Sequence, residues 1–193
     1  AEHPGRIRGY VTVNPNFPAH ALEEITRGAG AGMIGVKLAA SRRADDPLLD
    51  PVCEAARDFG LPVLHHVWQH RRHEWPGQEA SDGVELCRLA ARHPRVNFIL
   101  AHLGGGGDWL HTLRAARTHG NVYLDLSGSG VDGGMLDAAL SAVGAERLLW
   151  GADVTICTGL AKLRYLERLL PSPELDLVKG GNAARLFPRG AFP

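Results

Sequence analysis

Val96-Asn97-Phe98-Ile99-Leu100-Ala101-His102 is an apolar run of strand length that ends in a histidine, and Leu103-Gly104-Gly105-Gly106-Gly107 follows at once. Two more runs end in a similar way. Pro62-Val63-Leu64-His65-His66 closes on two histidines, and Arg147-Leu148-Leu149-Trp150-Gly151-Ala152-Asp153 closes on an aspartate. Short, nearly continuous apolar runs are the pattern of parallel strands covered by helices. In folds of that kind the chemistry gathers at the C-terminal ends of the strands. Histidine and aspartate are also the side chains that a catalytic zinc or manganese site uses.

Outward from these runs, strands and helices alternate. Strands are predicted near 7–13, 33–38, 61–66, 96–102, 122–126 and 148–152. Helical stretches lie between and after them, near 19–29, 46–59, 80–93, 109–118, 135–143, 160–170 and 182–187. Gly60 stands where a helix C-terminal stop belongs. Residues 1–193 are read as one domain, because this length supports one core and not two. A doubly wound sheet and a (β/α)8 barrel of the TIM type both fit the alternation. The former would carry a glycine-rich phosphate loop after its first strand, but Tyr10-Val11-Thr12-Val13 leads into Asn14-Pro15-Asn16. Functional side chains at the ends of several strands favour the barrel, of which about six βα units are present.

Bulk properties exclude several classes. Twenty-one basic and 21 acidic residues balance, so no field draws the chain to nucleic acid or an anionic membrane. No apolar run reaches the ~20 residues of a membrane span, and Ala1-Glu2-His3-Pro4-Gly5-Arg6 has no signal-peptide core. Cys53, Cys87 and Cys157 are scattered and odd in number, which reads as reduced thiols and a cytoplasmic location.

Each strand-end residue has a functional and a structural reading. His66 shares a strand face with Leu64, and His65 shares the other with Val63. Either histidine can be a ligand, or a core residue bonded to a backbone carbonyl, which is the commoner fate of a single histidine. The glycines after His102 leave room for a ligand to approach the backbone, but Gly-Lys-Ser/Thr is missing, so the run is no P-loop. Asp153 needs a metal, a base or a cation if buried, or is a helix cap. Lys37 reads as a contact for a substrate carboxylate or as half of an ion pair. Tyr123, Asp125 and Ser127 share one strand face. Arg71 and Arg72 follow the His66 strand and can meet an anionic substrate.

These motifs resemble the amidohydrolase superfamily, in its branch of aminocarboxymuconate-semialdehyde-decarboxylase-like and "amidohydrolase 2" enzymes. Gly35-Val36-Lys37-Leu38 resembles the fourth strand of that branch, and the runs ending at His66, His102 and Asp153 resemble its fifth, sixth and eighth. Asn121-Val122-Tyr123-Leu124-Asp125-Leu126-Ser127-Gly128 resembles the seventh, and Asn182-Ala183-Ala184-Arg185-Leu186-Phe187 the terminal helix. The resemblance favours His66 over His65 and implies His66 and Asp153 as metal ligands, with His102 and Asp153 catalytic. It implies one divalent metal, zinc or else manganese, that lowers the pKa of a bound water to about 7. The activity implied is hydrolysis of a lactone, ester or amide of a small carboxylate-bearing substrate, with decarboxylation of an aromatic or muconate-type acid as the alternative. The family's first-strand His-x-His pair occurs nowhere in this chain, and residues 7–15 resemble its third strand. The resemblance therefore implies a barrel lacking its first two strands. A third reading follows, a catalytically impaired partial barrel that binds a partner, or a second copy, along its exposed edges.

Overall fold

A computed structural model of the chain describes all residues except 1, 2, 4, 5, 40, 67–80, 105–108, 131, 155–157 and 193. Six strands, β1 (Tyr10–Val13), β2 (Gly35–Leu38), β3 (Val63–His66), β4 (Phe98–Ala101), β5 (Val122–Asp125) and β6 (Leu148–Leu149), pair in sequence order, every pair parallel. Helices α1 (Pro18–Gly30), α2 (Asp50–Asp58), α3 (Gly83–Arg92), α4 (Trp109–Ala116) and α5 (Met135–Val143) connect successive strands. After β6 come α6 (Gly159–Leu169), α7 (Ser172–Asp176), a π-helical turn (Leu177–Gly181) and α8 (Asn182–Leu186). Strand order 1 to 6 with a helix at each crossover is the progression of a (β/α) barrel. The doubly wound alternative would reverse direction partway across the sheet.

Every strand lies inside its predicted run and is shorter. The runs over 7–13, 96–102 and 148–152 lose most, keeping 10–13, 98–101 and 148–149. Apolar composition extends past the strand ends, because residues such as Leu103 and Leu126 beyond β4 and β5 are also buried. The predicted 46–59 helix is a 3-10 turn, Pro47–Leu49, followed by α2. Segment α7 and the π-helical turn carry no strong periodic signal and were not anticipated.

The two sheet faces differ in chemistry. In register, Val11, Val36, Val63, Phe98 and Val122 form one row, and Val13, Leu38, His65, Leu100, Leu124 and Leu148 another. Both rows join the main core with Ile25, Val52, Leu86, Leu89, Leu113, Met135 and Leu166 of the helices. The period of two puts Tyr10, Lys37, Leu64, His66, Ile99, Tyr123 and Asp125 on the opposite, inner face. There Ile99 and Leu149 pack with Leu186, Ala183 and Phe187, so α8 covers the lower part of that face.

Strands β1 and β6 end the pairing order. The C-terminal segment spans from one to the other. Asn182 Nδ2 donates to the carbonyls of Ala145 and Leu148, both at 2.7 Å, beside β6. Phe187 meets Tyr10 of β1 edge to face, with ring centroids 5.8 Å apart, and Arg8 Nε donates to the Ala191 carbonyl. Among the described residues, no helix is long and apolar enough to cross a membrane.

Candidate active site

The upper inner face, where the strands end, holds the polar side chains. The two adjacent histidines of β3 part company there. His65 turns to the helix-covered face, is buried, and its Nδ1 lies 3.0 Å from the His66 carbonyl. Burial pushes its pKa down to about 4. It is the core histidine bonded to a carbonyl. His66 turns inward, half-buried, with its ring 5.2 Å from the ring of His102. Burial, helped by the charges of Lys37 and His102 and opposed by Asp153, pushes its pKa down to about 4 as well. His66 is thus a neutral imidazole at neutral pH, the form that offers a lone pair to a ligand.

His102 stands one residue past β4 between two carboxylates. Its Nδ1 lies 2.6 Å from Ser127 Oγ and 3.2 Å from Asp125 Oδ2. Its Nε2 lies 3.7 Å from Asp153 Oδ2. Ser127 donates its hydroxyl hydrogen to Asp125 Oδ2 and its backbone N–H to Asp125 Oδ1 at 3.0 Å. Since the hydroxyl proton is spent on Asp125, Ser127 Oγ can only accept from His102. The partners therefore assign a proton to Nδ1, and Nε2 points at Asp153 as the exchangeable position. Asp125 and Ser127 lie on one strand face, as their spacing predicts, and both are buried. Their service to His102, however, is legible only once β4 and β5 are paired.

Asp153 is held by its backbone. Its φ of 48° is left-handed, a conformation that Asp tolerates better than most residues and that clusters at functional sites. Two residues earlier, a Cβ on Gly151 would stand 2.8 Å from Asp125 Oδ1 and 3.0 Å from Ser127 Cβ. Only glycine lets the β6 end approach the Asp125 carboxylate this closely. Lys37 of β2 completes the group. Burial lowers its pKa to about 8, against the pull of Asp125 and Asp153. At neutral pH it is an ammonium that faces both carboxylates, without being bound to either.

The structure thus brings together His66, His102, Asp153 and Lys37 and adds Asp125 and Ser127. Arg71 and Arg72 lie outside the described residues. A cavity of about 140 Å³ adjoins Asp125 lower on the inner face, lined by Tyr10, Leu64, Ile99, Leu149 and Phe187 among others. For a metal ion, neutral His66 and the Asp153 carboxylate are suitable donors. Among the described residues, no group of three or more His, Cys, Asp or Glu side chains is arranged to hold one. A catalytic zinc takes three protein ligands, so the described donors do not complete such a site.

The chain belongs to the amidohydrolase family, whose profile matches residues 1–189. Comparison with curated proteins gives no match. Among solved structures, 5-carboxyvanillate decarboxylase from Sphingomonas paucimobilis is similar at 25% identity and a TM-score of 0.71, covering 96% of this chain and 68% of its own. A 2,6-dihydroxybenzoate decarboxylase from Rhizobium superposes with a TM-score of 0.73 at 17% identity, covering 96% and 72%. A dihydroxybenzoic acid decarboxylase from Polaromonas sp. JS666, solved with bound manganese and 2-nitroresorcinol, does so with a TM-score of 0.73 at 17% identity, covering 96% and 70%. The six parallel strands are those of an enzyme family built on the TIM barrel.

Proposed function

We propose that this chain carries the proton-transfer half of a decarboxylase active site for a small, single-ring aromatic acid. The observation that carries this reading is His102, bonded through Nδ1 to Asp125 and Ser127 with its Nε2 toward Asp153. A histidine fixed on one side by a carboxylate and open on the other is a general acid–base. In this role Nε2 takes up a proton from solvent water and delivers it to the ring carbon that bears the carboxylate. The carbon–carbon bond then breaks, its electron pair returns to the ring, and CO₂ leaves. Lys37 is the cation for the substrate carboxylate or for the charge that builds on the ring. Arg71 and Arg72 are further candidates for that contact. The cavity of about 140 Å³ on the inner face reaches the site at Asp125. The similarity to three decarboxylases supports the reaction type.

His66 and Asp153 are the donors that this chain offers a divalent cation, manganese or zinc, which when bound supplies Lewis-acid stabilisation of negative charge. The same residues serve hydrolysis of a lactone or ester, and the family match favours keeping that second reading.

The test is turnover of 5-carboxyvanillate, 2,6-dihydroxybenzoate and a lactone panel by protein supplied with manganese or zinc, in D₂O. The expected outcome is CO₂ release, with one deuterium on the carbon that lost its carboxylate. His102→Asn should reduce kcat by about 100-fold or more. Lactone hydrolysis without CO₂ would transfer the site to the hydrolase reading. Inertness toward the whole panel would leave a binding module.

A further inference from the structure

Lys162, in the second turn of α6, is a buried lysine to which none of the sequence motifs gives a role. Its Nζ donates to three consecutive carbonyls, those of Leu126 at 2.7 Å, Ser127 at 3.2 Å and Gly128 at 3.2 Å. An ammonium has three N–H donors, and here each has a carbonyl to meet. Four residues earlier, and so on the same helix face, Thr158 Oγ1 donates to the Gly128 carbonyl at 2.9 Å. The start of α6 is thereby fastened to one short loop. That loop carries Ser127 and follows directly from Asp125, the two partners of His102 Nδ1. Its glycine, Gly128, has φ 82° and comes so near His102 that a Cβ there would lie 2.8 Å from the histidine Cβ.

An ammonium withdrawn from water costs several kcal/mol unless it is fully bonded. An apolar side chain of the same length would avoid that cost, but it would leave the loop carbonyls without their donor. Burial lowers the pKa of Lys162, while Asp125 and Asp153 pull the other way, so the cation also offsets the two carboxylates between which His102 stands.

We propose that Lys162 is a positioning residue of the active site: from α6 it holds the 126–128 loop so that Ser127 and Asp125 fix the ring and the proton position of His102. The functional consequence rests on the reading of His102 as the proton carrier; the geometric consequence does not.

The test compares Lys162→Met, Lys162→Arg and Thr158→Val with the parent chain at neutral pH. Long-range ¹H–¹⁵N spectra of the histidine rings, with His102 assigned by its absence in His102→Asn, report which ring nitrogen carries the proton, and need no substrate. The parent should show one species protonated at Nδ1. Lys162→Met should show a mixture of tautomers, and Lys162→Arg, which keeps N–H donors, should return toward the parent. On whichever aromatic acid the parent decarboxylates, Lys162→Met should lower kcat about tenfold with KM changed less than about threefold. A lysine that merely packs would lower the melting temperature and leave the ring spectrum as it was. A folded Lys162→Met chain with the parent spectrum overturns the proposal, as does a parent spectrum that already mixes tautomers. Should Lys162→Met not fold, Thr158→Val must shift the spectrum in the same direction by less, and a parent-like Thr158→Val spectrum overturns the proposal. If the parent turns over no aromatic acid, the decarboxylase reading fails, and the ring spectra still decide the positioning role.

Discussion

Lys37 and His66 stand on the same inner face, and burial disfavours the cationic form of both. It keeps His66 neutral down to about pH 4 and lets Lys37 lose its proton near pH 8. Between those values the site holds a neutral imidazole beside an ammonium. If Lys37 binds the substrate carboxylate, KM should rise as pH passes about 8, and Lys37→Arg should move that limb upward, because a guanidinium stays charged. Steady-state kinetics from pH 6 to 10 measure this, and a KM flat to pH 10 would remove Lys37 from substrate binding. Asp153 and His66 make a separate claim as metal donors. Titration calorimetry with manganese or zinc should show weak uptake by the chain, abolished in a His66→Ala, Asp153→Ala double variant. Unchanged uptake in that variant would put the metal elsewhere.

Among the elements, β6 and its loop carry the tightest local requirement. Gly151→Ala would push a methyl group to 2.8 Å from Asp125 Oδ1, so the carboxylate or the strand end must move. The expected cost is about 1–3 kcal/mol by urea unfolding, with a displaced His102 ring signal as the local sign. Helix α3 begins with a capping box in which Asp82 accepts from Val84 N–H at 2.7 Å and Glu85 accepts from Asp82 N–H at 2.9 Å. Asp82→Ala should cost about 1 kcal/mol and leave the site's chemistry unchanged, since α3 packs on the helix-covered face of the sheet. The six strands were legible from apolar runs because each is buried on at least one face. Their ends were not, because Leu103 and Leu126, just past β4 and β5, are as buried as the strand residues and still donate their N–H groups to the carbonyls of Asp125 and Leu149. The period of two put His65 and His66 on opposite faces, and the family resemblance favoured His66 as the inward one.

The molecule as a whole keeps two histidines neutral at a cost that depends on pH. For both His65 and His66 the folded pKa lies near 4, below the ordinary 6.5. Between those values the unfolded chain binds protons that the folded chain does not, so stability falls as pH drops from about 6.5 to 4. Above 6.5 this dependence ends. His65→Asn should flatten that acid limb, read as the difference in unfolding free energy between pH 7 and pH 5. An unchanged slope would mean that His65 is not buried as described. The inner face has its own dependence on the C-terminal segment. Phe187 packs beneath the cavity and against Tyr10, and Phe187→Ala should cost about 2 kcal/mol and loosen the tie between β1 and β6.

Strand number, parallel order, the barrel class and the three chemical strand ends followed from the sequence by itself. They depend on local composition and periodicity, which a chain carries along its length. The sequence could not show that Asp125 and Ser127 hold His102, that Asp153 faces its other nitrogen, or that Lys162 reaches across to three loop carbonyls. Those relations join residues 23 to 51 positions apart, and they exist only where parallel pairing brings the ends of neighbouring strands to the same level. Burial then gives the assembled side chains their charge states. Low dielectric is a property of the packed molecule and of no segment of it.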